Sequence, residues 1–548
     1  MTNKEIARNF SLLAKLMELH GENSFKTRSY SSAYMTIRKH PEELSSMSPG
    51  QIENIAGIGK AISTKSQELL NTGEMQMLNT YLEMTPPGIV EMLQIKGFGP
   101  KKIGTIWRDL KIETIGELIY AINENRLVEL KGFGTKTQAS LKEQLEYHME
   151  SSDKVLYAAA EPLAKKLIES LQKQTPENKF SLTGSIYRKA QIIDTIDIIT
   201  DAPIQDIEKY IEADEGLILT DDGVFYQHIK VQWHHTSSDK YHYDHARLSC
   251  GKEFWKKLNI PEQAYKSEED VFLQNKHAYI IPEYREDHNS EFYPKSYNDD
   301  AIVTVDDIRG CIHNHSTYSD GVNSLQEMTQ ATADRNYEYL VITDHSKSAF
   351  YAQGLSEERL MRQLDEIREI DQSMDDFRLF SGIESDILSD GSLDYADEIL
   401  AELEVIVASV HSNLKMDEAK ATKRLITAIE NPYTSILGHP TGRLLLSRKG
   451  YPIDHNKVID ACAYNNVAIE INANPLRLDI DWTHVQYAID KGVLISINPD
   501  AHSTKGIDDM YYGVCVARKA GLSKYNCLNA FDLEEFEEWI AEQHQKRG

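Results

Sequence analysis

Apolar residues in the first 150 positions recur at the spacing of an amphipathic helix. Ile6, Phe10, Leu13 and Met17 fall on one face of a helix with 3.6 residues per turn. Further along, each of three glycine-containing segments lies between an amphipathic helix and a helix rich in Lys or other polar residues. We therefore predict that residues 1–150 are all helical.

The pattern changes to a mixture of helix and strand in residues 151–300. Residues 157–173 suit a helix, and residues 180–188 lead from a strand into a turn. Residues 192–200 form a β-branched run that is typical of one buried strand. The polar stretch at residues 283–300 is interpreted as a linker.

Strands and helices alternate from residue 302 onwards. Helical segments separate the apolar strands, and an acidic helix at residues 532–542 is expected to turn its charges towards solvent. This alternation indicates an α/β barrel-like domain. The strands are predicted near residues 310, 341, 379, 405, 435, 467 and 493.

Composition narrows the class of protein. A chain of 548 residues is too long for one hydrophobic core, so three or four domains are expected. No apolar run approaches the ~20 residues of a membrane span, and the first residues lack the apolar core of a signal peptide. Five Cys without a CxxC pair argue against a disulfide framework. We expect a cytoplasmic protein that does not enter membranes.

Charge is distributed unevenly along the chain. The net charge of −27 argues against a protein that coats DNA along its whole length. Residues 1–150 carry 18 Lys and Arg against 18 Asp and Glu, so the whole acidic excess lies in residues 151–548. Contact with nucleic acid is therefore expected in the N-terminal part.

Three segments of the N-terminal part share one glycine pattern: residues 55–60, 95–101 and 130–136. The glycines allow a tight turn, and the helix that starts there directs backbone N–H groups and its positive dipole end at an anion. The pattern resembles the helix-hairpin-helix motif, which binds the DNA backbone without reading sequence. Ordinary Gly-capped helix turns are the alternative. The predicted contacts are Gly57, Gly59, Lys60, Gly97, Gly99, Lys101, Gly132, Gly134 and Lys136.

Metal-binding side chains stand at the ends of apolar runs in the C-terminal part. Six His and three acids exceed the four ligands of one tetrahedral ion, and bridging carboxylates let several ions share a pocket. Their spacing predicts a hydrolytic site with two or three divalent metals, zinc or manganese. The candidate ligands are His313, His315, Asp320, His345, Glu384, His411, His439, Asp500 and His502.

Taken together, these features resemble the bacterial family X DNA polymerases. The resemblance rests on the helical N-terminus, the turn Gly184-Ser185…Arg188 with its Asp-bearing strand, and residues 267–286, which look like the family's thumb. The C-terminal part is similar to the PHP (polymerase and histidinol phosphatase) domain of bacterial members. The resemblance implies a helical lyase-like domain (1–80), helix-hairpin-helix fingers (81–150), an α+β nucleotidyltransferase-like palm and thumb (151–300) and a distorted (β/α)7 barrel (301–548).

The polymerase site departs from the family pattern. Members hold two Mg²⁺ with three aspartates, two of them as Asp-x-Asp on one strand. Here Thr195 replaces the first and Asp197 matches the second, while Asp194 faces the other way in a regular strand. Residues 231–235, where the third is expected, contain no carboxylate. We predict that Mg²⁺ is not held here and that polymerase activity is weak or lost.

Other family sites can be carried over residue by residue. Gly184, Ser185, Arg188 and Asp197 keep a triphosphate-cradle pattern, either as a vestigial nucleotide site or as a structural turn. Lys65 matches the lysine that forms a Schiff base with an abasic sugar, with a phosphate contact as the alternative. The resemblance also implies that Lys26 and Tyr30 bind the 5′-phosphate and support the lyase.

All nine candidate ligands match the PHP ligand set, and Glu384, Asp320 and His439 are assigned catalytic roles there. Glu384 is expected to bridge the ions, and Asp500 and His502 are expected to complete the shell of the first ion. Cys311 replaces an Asp of the family pattern. Asp344 is expected to orient other groups, and Arg443 to clamp a phosphate or to form a structural ion pair.

The sequence thus predicts a DNA-repair phosphoesterase. The N-terminal part would hold gapped, nicked or abasic DNA without sequence preference. The PHP domain would act as a 3′–5′ exonuclease, a 3′-phosphodiesterase or an abasic-site endonuclease. A small-molecule phosphatase of the histidinol-phosphate kind with a vestigial N-terminus is the first alternative. A DNA-binding scaffold with an idle metal site is the second, and no protein partner is predicted.

Overall fold

The computed structural model describes residues 1–95, 98–130, 132–149, 154–214, 216–295 and 297–547. The chain divides into two compact units. The first comprises residues 1–122 and 126–148, and the second comprises residues 123–125 and 149–548. The division of the sequence into four domains stays a prediction.

The first unit is helical, as predicted. The Thr2 side chain caps α1 together with Glu5, and the predicted apolar face of this helix is completely buried at Ile6, Phe10 and Leu13. The helices are α1 Asn3–Leu19, α2 Ser24–Lys39, α3 Pro49–Glu53, α4 Lys60–Thr72, α5 Gln76–Glu83, α6 Pro87–Met92, α7 Pro100–Leu110, α8 Ile115–Asn123 and α9 Thr135–Met149.

The second unit begins with a mixed sheet in the palm-like part. The strand predicted at residues 192–200 is interrupted at Asp194, which is exposed between two shorter strands. The five-stranded sheet has the order β2-β4-β7-β6-β5, in which β4 and β7 are parallel. The elements are β1 Val155–Leu156, α10 Tyr157–Gln174, β2 Phe180–Thr183, α11 Gly184–Tyr187, β3 Ile192–Ile193, β4 Thr195–Thr200, α12 Ile204–Ala213, β5 Leu217–Thr220, β6 Gly223–Tyr226 and β7 Ile229–His235.

A small helical part follows, and it corrects one prediction. Residues 283–300 are not a linker throughout, because Tyr284 and Tyr293 belong to a buried apolar cluster and Arg285 is completely buried. The Arg285 guanidinium lies 2.5 Å from Glu268, which compensates the cost of burying a charge. Polar composition suggested a linker because these polar groups find partners only in the tertiary structure. The helices are α13 Tyr241–Leu248, α14 Lys252–Leu258 and α15 Glu268–Leu273.

Seven parallel strands then form the predicted barrel, in the order β14-β13-β12-β11-β10-β9-β8. Asn314 forms a bridge with Ala501 just beyond β14, so the sheet is nearly closed. The strands are β8 Gly310–Asn314, β9 Tyr339–Ile342, β10 Arg378–Asp386, β11 Val405–Ser409, β12 Ile436–Leu437, β13 Ala468–Asn472 and β14 Ile495–Asn498. The helices are α16 Leu325–Ala333, α17 Glu357–Gln372, α18 Asp397–Leu400, α19 Glu418–Ile429, α20 His455–Tyr464, α21 Val485–Asp490, α22 Met510–Lys519 and α23 Leu533–Gln545.

The acidic helix α23 covers the end of the barrel at which the strands begin. Asp532 caps it, and the Phe536 ring stacks on Tyr339 with 4.2 Å between centroids. The predicted helix is confirmed, and its other face is apolar and buried. The other end of the barrel, at which the strands end, is therefore the end where a catalytic site is expected. Among the described residues, we find no helix with the length and apolarity needed to cross a membrane.

Candidate metal centre

The structure brings all nine predicted metal ligands to one end of the barrel. His313 lies near the end of β8, and Glu384 lies within β10. The other ligands lie on the loops that follow β8, β9, β11, β12 and β14. Eight of the nine are buried, with at most 6% of their surface exposed, and the His411 side chain is 5% exposed. Parallel strands end side by side, which explains why residues almost 190 positions apart in sequence meet here.

Glu384 lies at the centre of the cluster. One carboxylate oxygen, Oε1, is 2.9 Å from His439 Nε2, 3.1 Å from His411 Nε2 and 3.2 Å from His313 Nε2. The other oxygen, Oε2, is 2.9 Å from His345 Nδ1. A carboxylate with imidazoles around both oxygens has the arrangement of a ligand that bridges two ions.

Asp320 and Asp500 organise the rest of the cluster. Asp320 Oδ1 is 3.2 Å from His502 Nε2, and its Oδ2 is 3.4 Å from His345 Nε2. Asp500 Oδ1 is 3.1 Å from His315 Nε2. His502 lies near both acids, since its Nδ1 is 3.8 Å from Asp500 Oδ1 and its Nε2 faces Asp320. Its place with Asp500 in the shell of the first ion stays a prediction.

The donor atoms fit a group of divalent ions. His313 Nε2 and His502 Nε2 are buried and make no hydrogen bond, although each lies 3.2 Å from a carboxylate oxygen. Imidazole nitrogens and carboxylate oxygens that face one another without hydrogen-bond geometry are expected where both bind a metal ion. Burial and the neighbouring His502 and His345 lower the pKa of His315 to about 3, so this ring is neutral. Burial also acts on His502, but the Asp320 carboxylate outweighs it and raises the pKa of His502 to about 9. Several overlapping groups of donors lie within 4.8 Å of one another, enough for two or three ions.

Further carboxylates lie beside the second ring nitrogens of the predicted ligands, and two of them, Glu470 and Asp386, were not predicted from the sequence. Glu470 on β13 lies 2.6 Å from His313 Nδ1 and accepts hydrogen bonds from the backbone N–H of His439 (3.0 Å). Asp386 on β10 lies 2.6 Å from His411 Nδ1. Such partners fix the tautomer of a metal-binding imidazole. A lone acid inside an apolar strand, as in residues 468–472, is the signal that could have identified Glu470.

Replacing Glu470 with Gln is expected to lower the affinity of the centre for Mn²⁺ or Zn²⁺ by about 10- to 100-fold. The amide carries no negative charge, and its NH2 end would face an N–H group, because both Glu470 oxygens accept hydrogen bonds. The His313 ring therefore loses the charged partner that fixes its tautomer. Calorimetric titration of metal-free protein measures this affinity. Glu398→Gln, an exposed change on α18, is the control. Unchanged metal affinity in Glu470→Gln would refute this role.

The sequence also suggested roles for Asp344, Cys311 and Arg443. Asp344 accepts hydrogen bonds from the backbone N–H of Ser316 (2.8 Å) and Ser319 (3.1 Å), so it orients the loop that carries Asp320. Cys311 is buried, and burial raises the pKa of its thiol to about 12, which disfavours the thiolate that binds metal.

Arg443 forms a structural ion pair rather than an open phosphate clamp. Its Nη1 lies 2.7 Å from Asp481 Oδ2, and its Nε donates to the carbonyl oxygen of Arg477 at 3.0 Å. Of the two roles weighed for Arg443, the structure has the ion pair. Arg477 itself is buried, with Nε 4.0 Å from Asp500 Oδ2, and so adds a positive charge beside the cluster.

The palm-like sheet has one carboxylate where the family pattern needs three. Asp197 on β4 accepts a hydrogen bond from Thr195 Oγ1 (2.8 Å) and lies 2.8 Å from His234 Nε2. Asp194 is exposed and lies before β4 begins. On β7, Gln232 is the register partner of Asp197. One acid, one hydroxyl and one imidazole do not fit a pair of Mg²⁺ ions, which prefer oxygen ligands in octahedral geometry.

The predicted triphosphate cradle is engaged in internal contacts. Arg188 Nε lies 3.1 Å from Glu286 Oε1, and Lys519 Nζ donates to the carbonyl oxygen of Arg188 at 2.8 Å. Gly184 and Ser185 begin α11, and a Cβ at Gly184 would collide with the β4 carboxylate. These contacts favour the structural turn over the vestigial nucleotide site.

Comparison with known proteins identifies the family. A model described as a helix-hairpin-helix domain matches residues 1–75. The DNA polymerase/3′-5′ exonuclease PolX of Bacillus subtilis is 32% identical over 572 aligned residues, which span 98% of this chain and 99% of the relative. The chain belongs to the bacterial family X DNA polymerases.

Shorter relatives match the C-terminal region of this family X protein. A probable phosphatase of Thermoanaerobacter sp. is 28% identical over 192 residues, which span 33% of this chain and 76% of the relative. A probable phosphatase of Clostridium acetobutylicum is 34% identical over 137 residues, which span 23% of this chain and 53% of the relative.

The hairpins of this family X protein have the backbone that the glycine pattern predicted. Gly57 and Gly132 have backbone φ angles of 89° and 93°, which residues other than glycine rarely adopt. Gly97 lies outside the described residues. An added Cβ would meet nothing within 4 Å at the glycines preceding the three helices, so the backbone there is open to an anion. Helices α4, α7 and α9 begin one residue after Gly59, Gly99 and Gly134.

Removing the three hairpin lysines is expected to weaken DNA binding and flatten its salt dependence. Lys60, Lys101 and Lys136 are exposed at the starts of these helices. Each contact with phosphate contributes about 0.9 to the slope of log affinity against log salt on duplex DNA. The triple Ala variant should therefore lose roughly 2 to 3 units of slope in fluorescence anisotropy titrations. Exposed lysines of the second unit provide the matched triple control: Lys420, Lys423 and Lys449.

The predicted lyase residues have different surroundings. Lys65 is half-buried on α4, and Lys26 is exposed with Nζ 3.5 Å from Glu22. Tyr30 is only 5% exposed, and its hydroxyl lies 3.6 Å from the Met77 sulfur. The 5′-phosphate role of Lys26 and Tyr30 stays a prediction. The lyase role of Lys65 stays a prediction. Borohydride trapping on abasic DNA tests it, and absence of an adduct would leave Lys65 as a phosphate contact.

Proposed function

We propose that this protein is a metal-dependent DNA-repair phosphodiesterase whose chemistry is carried out by the barrel. The observation that carries the proposal is the contrast between two sites in one chain. The barrel gathers nine buried ligand-type side chains, whereas the palm offers one carboxylate. The activity would be a 3′–5′ exonuclease, a 3′-phosphodiesterase or an abasic-site endonuclease, with polymerase activity weak or lost.

The side chains of the barrel have distinct parts in this hydrolysis. Divalent ions would supply a hydroxide at neutral pH and would stabilise the charge that develops on the phosphate. Glu384 would keep the ions at a fixed separation, since imidazoles surround both of its oxygens. Asp320 and His439 would hold ions on either side of it. The burial of all these groups excludes bulk water and strengthens their electrostatic effect on the phosphate.

DNA is the proposed substrate because of the hairpins. Three open helix starts, each with an exposed lysine, are suited to a phosphate backbone without regard to sequence. A small-molecule phosphatase is the alternative, and the phosphatase relatives of the C-terminal region favour it. It gives the three hairpins no role. Zinc and manganese both suit the imidazole and carboxylate donors.

One incubation separates the two functions. The full chain with Mn²⁺ is given a gapped duplex labelled at the 5′ end of its primer, beside a His313→Ala variant. We expect a ladder of shortened primers from the wild type and none from the variant. Turnover of small phosphate esters without any shortening of the primer would refute the DNA substrate. Elemental analysis of the purified protein identifies the bound metal.

A further inference from the structure

We propose that Phe350 is the surface on which the base of the 3′-terminal nucleotide stacks while its phosphodiester lies at the metal centre. This inference rests on the proposed function and refines it, because it makes the substrate a nucleotide at a DNA end rather than any phosphate ester. Phe350 lies in a turn, Phe350–Ala352, five residues after His345, and it is 81% exposed.

A continuous set of rings connects Phe350 to the metal centre. The Phe350 and Tyr351 rings meet edge to face, with 5.8 Å between centroids. The Tyr351 ring in turn lies 6.4 Å from His345 and 6.5 Å from His411, both of them predicted metal ligands. The exposed ring is therefore two ring contacts away from two of the predicted metal ligands.

The backbone that carries Phe350 is held firmly. Leu355 donates its backbone N–H to the carbonyl oxygen of His345 (2.9 Å), and Ser348 donates its own to Asp394 Oδ2 (2.6 Å). A Cβ at Gly354 would lie 2.0 Å from the carbonyl oxygen of Ser346, so the segment closes on itself too tightly for any other residue. A ring fixed in position before binding loses little conformational freedom when a base stacks on it.

A nucleobase fits this ring better than a protein partner does. The exposed residues beside it, Lys347, Ser348 and Gln353, are polar, and the alanines on either side of the two rings are buried. Phe350 is therefore the one exposed apolar residue of segment 347–353, whereas protein interfaces are marked by larger apolar patches. A single flat ring offers enough surface for one base. Stacking is insensitive to base identity, which agrees with the sequence-independent binding proposed for the hairpins.

The test compares Phe350→Ala and Phe350→Trp with the wild type on three substrates. These are a gapped duplex whose primer ends in an ordinary nucleotide, the same primer ending in an abasic tetrahydrofuran, and bis-p-nitrophenyl phosphate. For Phe350→Ala we expect KM to rise about tenfold on the ordinary primer with kcat within about twofold. We expect no change on the abasic primer or the small ester, and wild-type behaviour from Phe350→Trp.

Tyr525→Ala is the matched control, because Tyr525 is a 73% exposed ring two residues before Cys527, which bridges Ile495 at the start of β14, opposite the ligand-bearing end of the barrel. Metal content is measured for every variant. A rise in KM that is equal on all three substrates would overturn the inference, and so would an unchanged KM on the ordinary primer. Failure of the wild type to cleave any DNA while it cleaves the small ester would refute the proposed function itself, and this inference with it.

Discussion

Glu384→Gln is expected to lose phosphodiester hydrolysis by about a thousandfold or more. Three imidazoles surround Glu384 Oε1 and a fourth lies at Oε2. The amide removes the negative charge that would hold two ions at one separation. Loss of metal-ion stabilisation amounts to several kcal/mol, and each 1.36 kcal/mol is a factor of ten in rate. The initial rate of primer shortening in Mn²⁺ measures the effect.

Glu402→Gln, an exposed change in the segment before β11, is the matched control and should keep the wild-type rate. Metal content provides a second measurement, since Glu384→Gln should also purify with fewer ions. A variant that keeps both its metal and more than about a tenth of its activity would show that Glu384 is not the bridging group.

Primer extension is expected to be absent even in a variant that lacks nuclease activity and so cannot remove newly added nucleotides. The experiment uses the His313→Ala chain with a gapped duplex, Mg²⁺ and all four dNTPs, so that newly added nucleotides are not removed again. Asp197 alone cannot hold two Mg²⁺ ions, and His234 lies 2.8 Å from it. Extension of the primer would show that this arrangement still supports catalysis.

The same background allows a gain-of-function variant. Thr195 Oγ1 and His234 Nε2 both lie 2.8 Å from Asp197, on its two oxygens. Changing both residues to Asp would place three carboxylates together, and we expect Mg²⁺ or Mn²⁺ binding at the palm that the parent chain lacks. Calorimetric titration of His313→Ala with and without the two changes measures it. Identical titrations would mean that carboxylates at these two positions are not sufficient to create a metal site in this palm.

The helical N-terminal unit and the barrel were accessible to sequence reasoning because their signals are local. The face of α1 follows from the spacing of Ile6, Phe10 and Leu13, and the barrel follows from apolar runs separated by helical segments. The ligands could be found because each ends such a run, and parallel strands end at one edge of a barrel.

Partners that lie far apart in sequence were not accessible in this way. Glu470 and His313 are 157 positions apart, and neither segment indicates the other. The sequence left two roles open for Arg443, and its ion pair with Asp481 is visible only in the structure. In the same way, the predicted phosphate contact Arg188 forms an ion pair with Glu286. The polar composition of residues 283–300 pointed to a linker, because the partners that allow the burial of Tyr284, Arg285 and Tyr293 lie in other segments.

The sequence by itself determined which elements form and which residues carry the chemistry, because hydrophobic period, glycine turns and ligand types are properties of short segments. Only the tertiary structure decided how the nine ligands divide around Glu384, and which buried acids orient their rings. It also decided that the palm residues bind one another. Those outcomes depend on contacts between segments that are far apart in sequence, and such contacts form only when the chain folds.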